Sequence, residues 1–520
     1  MPKINPPILT HLPLMALLTA ILLASATSAA QNKYFQITVV DEQTGRGVPL
    51  VELETVNNIR YYSDSNGIIA FDEPGLMNQD VFFNIRSHGY EFPKDGFGFH
   101  GTRLHPLPGA SAQLKIKRIN IAQRLYRITG HGIYADTVRL GLRTPTQNPL
   151  LNGQVLGQDS VQSILYRQKL YWFWGDTNTP GYPLGQFAMS GATSLLPGKG
   201  ALDPALGVDL TYFVDQNGFS RKMAPMKADG PVWIDGLLLI PDDTAQERLL
   251  AHYSRMKNLA TMLEHGLMLF NDQTQTFDKY KEFDLAQQWR CPRGHPIRVN
   301  DNAHDFFLFP TPYPTVRVKA HINSITDPAS YEAFTCLTPG SKYDKHNPHV
   351  DRTPDGRLVY AWKPNTDPTA QKEERELIAA DKITPAEAHF QLRDIDTNKE
   401  VDMHGASVYW NQYRKRWIMI GVQIMGSSVL GEVWFAEADS PTGPWTFARK
   451  IVTHDKYTFY NPKQHPFFDQ DAGRVIFFEG TYCNTFSGNP FQTPRYDYNQ
   501  IMYRLDLDDP RLGLPLKRDK

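Results

Sequence analysis

Residues 157–177 read GQDSVQSILYRQKLYWFWGDT, a polar start at Gly157-Gln158-Asp159-Ser160-Val161, then the apolar, aromatic run 170–174, then Gly175-Asp176-Thr177. In the run, Trp172 and Trp174 alternate with Phe173, the period of a strand with one face turned to a core. The stretch reads as a short strand followed by a stronger one, and the same pairing returns further along the chain, roughly every fifty to ninety residues. Pro231-Val-Trp-Ile precedes Arg248-Leu-Leu-Ala-His-Tyr; Gly294-His295-Pro296-Ile precedes Asp305-Phe-Phe-Leu-Phe; His404-Gly-Ala-Ser-Val-Tyr precedes Arg416-Trp-Ile-Met-Ile-Gly; Gln464-His465-Pro466-Phe-Phe precedes Val475-Ile-Phe-Phe-Glu479-Gly-Thr481. Two short echoes support the register: GHPI at 294–297 matches QHPF at 464–467, and FWGDT at 173–177 matches FFEGT at 477–481. Recurrent four-stranded units of this kind predict the blades of a β-propeller.

Five blades are expected. Six remain the alternative, because Asn347-Pro-His349-Val-Asp351 and Arg357-Leu-Val-Tyr-Ala-Trp362 can form a further blade or the outer part of the third. The stretch YRITGHGIY at 126–134 can supply a closing strand beside the last blade, which would remove the exposed edges of an open ring. Residues 373–380 and Thr384-Pro-Ala-Glu387 carry helix-start signals, the latter with Thr as cap, Pro at the first position and Glu three residues on, and predict a small helical insertion between blades.

Ahead of the propeller, residues 34–117 alternate in a strand period and break at turn clusters, which predicts a small antiparallel β-sandwich. At the very start, Lys3 precedes an apolar run at 14–24 that ends in small residues, the pattern of a cleaved export leader. The expected organisation is all-β: a leader at 1–30, a sandwich at 31–120 and a propeller at 121–520, in a protein secreted or held in the periplasm. No later segment is long and apolar enough for a membrane anchor.

A formal charge of −1 over 520 residues argues against nucleic acid as a partner and leaves the oligomeric state open. Cys291, Cys336 and Cys483 allow at most one internal disulfide, and three buried thiols are the competing reading. With no CxxC and no HExxH, no cofactor or catalytic metal is expected, although a structural calcium is left open.

Propellers converge the early residues of their innermost strands on one channel. Asp159, His295, His404 and His465 form that converging set, and Asp176 and Glu479 end the second strands nearby. Cleaving an acetal between sugars needs one carboxyl group to protonate the leaving oxygen and a second to act as base or nucleophile. Asp159 and Asp176 are candidates for this pair. Glu479, flanked by apolar residues that would raise its pKa, or failing it Glu432 at the head of its strand, is the candidate acid. Each has a plainer reading: both aspartates suit turns, and both glutamates suit a buried or solvated structural role. His295, His404 and His465 can bind sugar hydroxyls, chelate a cation with Asp159, or tie strands together. Trp174 can stack on a sugar ring or pack in the core. The partner these residues suit is a polysaccharide or oligosaccharide. Two rivals stay open: a polysaccharide lyase using His404, His465 or Tyr498 as base, and a non-catalytic carbohydrate-binding or envelope protein.

Two resemblances add to this reading. Residues 39–71, VVDEQTGRGVPLVELETVNNIRYYSDSNGIIAF, resemble carboxypeptidase-regulatory, transthyretin-like modules through a D-x-x-T-G turn, a V-P-x-V strand and a D-x-x-G turn, which implies a spacer or docking surface. The pair GQDS and LYWFWGDT resembles secreted five-bladed propellers long known only as a domain of unknown function, among which endo-D-arabinanases have been recognised. The segment EADSPTGPW at 437–445 is similar to a blade turn of arabinanase and fructosidase-like hydrolases. The resemblance implies a glycoside hydrolase with acidic residues on its first blade, matching Asp159 and Asp176; no motif matches a general-acid Glu.

Overall fold

The computed structural model describes residues 1–2, 33–242 and 244–514. Apart from Met1 and Pro2, the export leader read at 1–30 lies outside the described residues. Among the described residues no helix is long and apolar enough to cross a membrane.

The first eight strands form two four-stranded sheets. In one, Phe35–Asp41 pairs antiparallel with Ile68–Phe71 and parallel with Ser111–Arg118. In the other, Glu52–Thr55 lies between Arg60–Tyr62 and Val81–Arg86. Alternation along Phe35–Asp41 turns Phe35, Ile37 and Val39 inward, onto Leu53, Ile69 and Phe83 of a core the two sheets share. The turns read from the sequence are closed by their aspartates. Asp41 accepts the backbone N–H of Gln43 at 2.8 Å, and Asp64 accepts that of Asn66 at 3.0 Å. Asp64 does more, because its second oxygen takes the backbone N–H and hydroxyl of Thr137 at 2.7 and 2.8 Å, fastening this unit to the short helix Ala135–Arg139.

Six further sheets follow: a small one of Gly157–Gln158, Thr177–Thr179 and Tyr182–Gln186, and five blades with innermost strands Gln162–Tyr166, Val232–Pro241, Ile297–Asp301, Met403–Asn411 and Thr458–Gln464. In the last sheet the strand order ends with Gln123–Arg127, which precedes the first blade and pairs antiparallel with Asn499–Asp506. This strand closes the ring, a few residues earlier than the sequence suggests. The six-blade alternative does not form: Ala361–Pro364 joins the third blade as its fifth strand, and residues 347–358 contribute only isolated bridges.

The last blade departs from the expected register. Its innermost strand is Thr458–Gln464, ahead of His465-Pro466, because Pro466 opens a one-turn helix, Pro466–Phe468, in which a strand cannot continue. The helix Gln371–Ala379 packs along the outer strand Phe390–Asp394 of the fourth blade, where buried Glu374 accepts the backbone N–H groups of His389 and Phe390 at 2.9 and 2.8 Å. It sits at the rim of the blade and away from the channel. All three cysteines are buried and free.

Candidate active site

The innermost strands all begin at the same end of the ring, and there their first residues wall a cavity of about 450 Å³. Asp159, Asp176, Asp235, His295 and His404 line it. Its size falls in the range of small-ligand sites.

Asp159 stands just ahead of the first innermost strand, on the turn before Ser160, whose φ of 56° is left-handed. Its carboxylate accepts the Tyr460 hydroxyl at 2.6 Å, and the donors of Tyr498, Ser160 and the Asp176 backbone lie near enough to favour its charged form. Burial raises its pKa, and these four donors oppose the rise by favouring the charged form. Gly175 is required beside it: a Cβ there would lie 2.0 Å from Asp159 Oδ1. The Gly175 N–H also donates to the Asp159 carbonyl at 2.7 Å, so the two ends of the motif quoted above are locked across the strand pair.

Asp176 has a poorer shell. Its Oδ1 accepts the indole N–H of Trp233 at 3.0 Å, its one side-chain hydrogen bond among the described residues. Burial pushes its pKa up to about 6, Trp233 pulls it back, and the negative charge of Asp159 raises it further. Two neighbouring carboxyl groups therefore differ in kind, one surrounded by donors and the other nearly bare, which is how environments separate a base from an acid.

Asp235, on the second innermost strand, is the third carboxylate of the cavity. It accepts the Gly294 and Gly236 N–H groups at 2.7 and 3.0 Å and the Gln162 amide at 3.0 Å. Burial raises its pKa against these bonds and the charge of Arg293. The same Gln162 meets His295 Nδ1 at 3.2 Å, so Asp235, Gln162 and His295 hold three blades in register across the axis. His404 is exposed to the cavity, and shielding by its walls lowers its pKa. Among the described residues, no three His, Cys, Asp or Glu side chains converge to hold a metal ion.

Beneath the cavity the axis is filled by a sealed polar layer. Lys463 Nζ donates to the Ser163 carbonyl at 3.2 Å and the Tyr409 hydroxyl at 3.3 Å, and lies 3.5 Å from His295 Nδ1. Burial brings Lys463 down to about 7. His465 Nε2 meets Glu479 Oε1 at 2.8 Å, and its Nδ1 meets Ser163 Oγ at 3.2 Å. Burial lowers the pKa of both His295 and His465, and the Lys463 charge adds to it.

The structure thus brings Asp159, Asp176, His295 and His404 together at one cavity and leaves the other candidates elsewhere. Glu479 is fully buried, its pKa pushed up to about 8 by burial, and it does not line the cavity. His465 shares its enclosure because Pro466 turns the chain away from the mouth. Glu432 is buried in the fourth blade, bonded to Ser427 and to Thr453 at 3.0 Å and paired with Lys450 at 3.1 Å. Trp174 is fully buried and stacked on Trp172 with the ring planes 7° apart, so it packs in the core.

Sequence reasoning missed Asp235 and Asn461, which line the cavity, and Tyr460, which donates to Asp159. Asp235 follows Trp233-Ile234 directly, at a position in its strand like that which singled out the other polar residues, and was legible by that rule. Tyr460 and Asn461 were hidden by the misplaced register of the last blade.

No protein-family profile matches the chain, and no curated protein matches it. Among solved structures it is similar to an alpha-L-arabinanase from Penicillium chrysogenum complexed with arabinobiose (11% identity, TM-score 0.36, 74% of this chain and 99% of that one). It is also similar to an exo-beta-1,3-galactanase from Phanerochaete chrysosporium with galactose (9%, 0.36, 75% and 66%). A third is the GH43_1 enzyme from Xanthomonas citri complexed with xylotriose (10%, 0.31, 68% and 88%). At these scores the likeness bears on neither the chemistry nor the substrate of the present chain.

Proposed function

We propose that the protein is a glycoside hydrolase acting on a polysaccharide outside the cytoplasm, exported by the leader at 1–30 and divided into a sandwich at 31–120 and a catalytic propeller at 121–520. The observation that carries this reading is the unequal carboxyl pair in one cavity. Asp176, with its pKa pushed up to about 6, protonates the glycosidic oxygen as the bond to the anomeric carbon breaks. Asp159, with four donors near it, assists attack at that carbon as base or nucleophile. This moves the acid role from Glu479 and Glu432, which have no access to the cavity, to Asp176. Asp235 fixes Gln162 and His295, and His404 offers a neutral imidazole to sugar hydroxyls.

The lyase reading loses its tyrosine. Burial and the charges of Asp159 and Asp176 push the Tyr498 phenol far above its ordinary range, whereas a base needs the opposite. The test is a screen of the protein against polysaccharides of arabinose, galactose and xylose and against a polyuronate, the substrate class on which a lyase can eliminate, with reducing ends and the ultraviolet absorbance of unsaturated ends both followed. New reducing ends without new absorbance, abolished in Asp159→Asn, are expected. Unsaturated product, or full turnover by Asp159→Asn, overturns the assignment.

A further inference from the structure

The hairpin that follows Asp176 has no part in the chemistry above, yet it grows out of the same wall. Residues 177–188 leave the cavity after Asp176 and rejoin it at Met189, so both feet of the hairpin stand on the cavity. Its first strand, Thr177–Thr179, pairs on one side with Gly157–Gln158, the residues that lead into Asp159, and on the other with Tyr182–Gln186. Above those feet Tyr182 is 62% exposed and Phe187 57%.

They belong to a larger pattern. Innermost strands run away from the cavity and second strands return to it, so every loop from a second to a third strand lies at the cavity end. Four of these five loops expose large apolar side chains: Tyr182 and Phe187 on the first, Leu259 on the second, Met425 on the fourth and Phe486 on the last. Leu259 also lines the cavity. Single exposed apolar residues need no explanation, but a set gathered around one opening marks a contact surface.

We propose that this rim, led by Tyr182 and Phe187, binds the sugar units of a neutral polysaccharide chain on either side of the bond held at Asp159 and Asp176. The proposal rests on the hydrolase reading for the position of that bond. A cavity of about 450 Å³ holds only a short stretch of glycan, so a longer chain must cross the rim. The C–H faces of sugar rings are apolar, and flat aromatic side chains cover them at small entropic cost. The first three of the five loops, residues 177–188, 259–260 and 311–313, contain no Asp, Glu, Lys or Arg, which suits a neutral chain better than a polyuronate.

The experiment compares wild type with Tyr182→Ala/Phe187→Ala on linear arabinan, galactan and xylan and on their disaccharides and trisaccharides. Retardation in polysaccharide-containing native gels is measured beside hydrolysis, and circular dichroism verifies folding. The expected result is a KM raised roughly tenfold on the long chain, with kcat within about twofold and the short substrates unaffected. Gel retardation should be lost in parallel. Equal effects on short and long substrates, no effect on either, or failure of every polysaccharide to retard the wild type overturns the proposal. Retardation that the double variant loses, with no hydrolysis by either protein, upholds the rim and removes the hydrolase reading instead. If the double variant misfolds, Tyr182→Ser alone supplies the same comparison.

Discussion

Asp176 of the first blade and Glu479 of the last present the same local signal, a carboxyl group just after an aromatic run on a second strand with its pKa raised by burial. Their surroundings differ in one respect. Asp176 is shielded on one side and open to a cavity on the other, whereas Glu479 is enclosed by His465, Lys463 and the apolar faces of two blades. A raised pKa prepares a group to hold a proton, and access decides whether the proton can be delivered. The sealed layer acts as the floor on which the open one is built: Lys463 reaches His295, and His295 reaches Gln162 and through it Asp235.

The contrast can be broken most directly at Asp159. Asp159→Asn should lower kcat on a cleaved polysaccharide by about 10³-fold or more with the fold intact, while Glu479→Gln should leave kcat within a few-fold. Equal losses in the two variants would erase the distinction. Gly175→Ala should approach the loss of Asp159→Asn, because the added methyl must displace the Asp159 carboxylate; a crystal structure of the variant would show the displacement.

Much of this was legible from the chain. Alternation and recurrence placed the sheets, and the closing strand was foreseen because an open ring would leave edges unpaired. The acidic turn Gly175-Asp176-Thr177 was visible as chemistry because a carboxyl so close to a second polar strand end must share its surroundings. Access was not legible, since Lys463 and His465 come to enclose Glu479 only through the register of the last innermost strand. Nor was the path of the last innermost strand, where Asn461 takes a left-handed φ of 48° and the pairing slips between Tyr460 and Lys463. That slip delivers Tyr460 to Asp159.

Protonation offers a finer test. If Asp176 is the acid, activity should fall as pH rises through about 6, where its proton is lost. The same raised pKa means that the folded state binds this proton more tightly than the unfolded chain. Its stabilising effect is complete below about pH 4 and disappears by about pH 6, so at neutral pH Asp176→Asn should be more stable than wild type by about 1–3 kcal/mol in urea titrations while being inactive. Glu479 follows the same sign over a higher window. The stability of Glu479→Gln relative to wild type should grow from about pH 5 to about pH 8, measured by thermal melting across that range. The smallest effect belongs to Trp233→Phe. Removing the indole N–H takes away the bond that holds the Asp176 pKa down, and the alkaline limb of the activity profile should move upward by a fraction of a pH unit.

The closing strand has a consequence for biosynthesis. Gln123–Arg127 is made before any blade, yet its partner Asn499–Asp506 emerges only after nearly the whole ring has left the ribosome. Throughout that interval the early strand has an unsatisfied edge. Arg124 anchors it to the carbonyls of Pro49 and His88 at 3.0 and 3.1 Å, contacts that form within the first part of the chain alone. The leading sandwich is thereby placed to keep the strand out of wrong pairings until its late partner arrives.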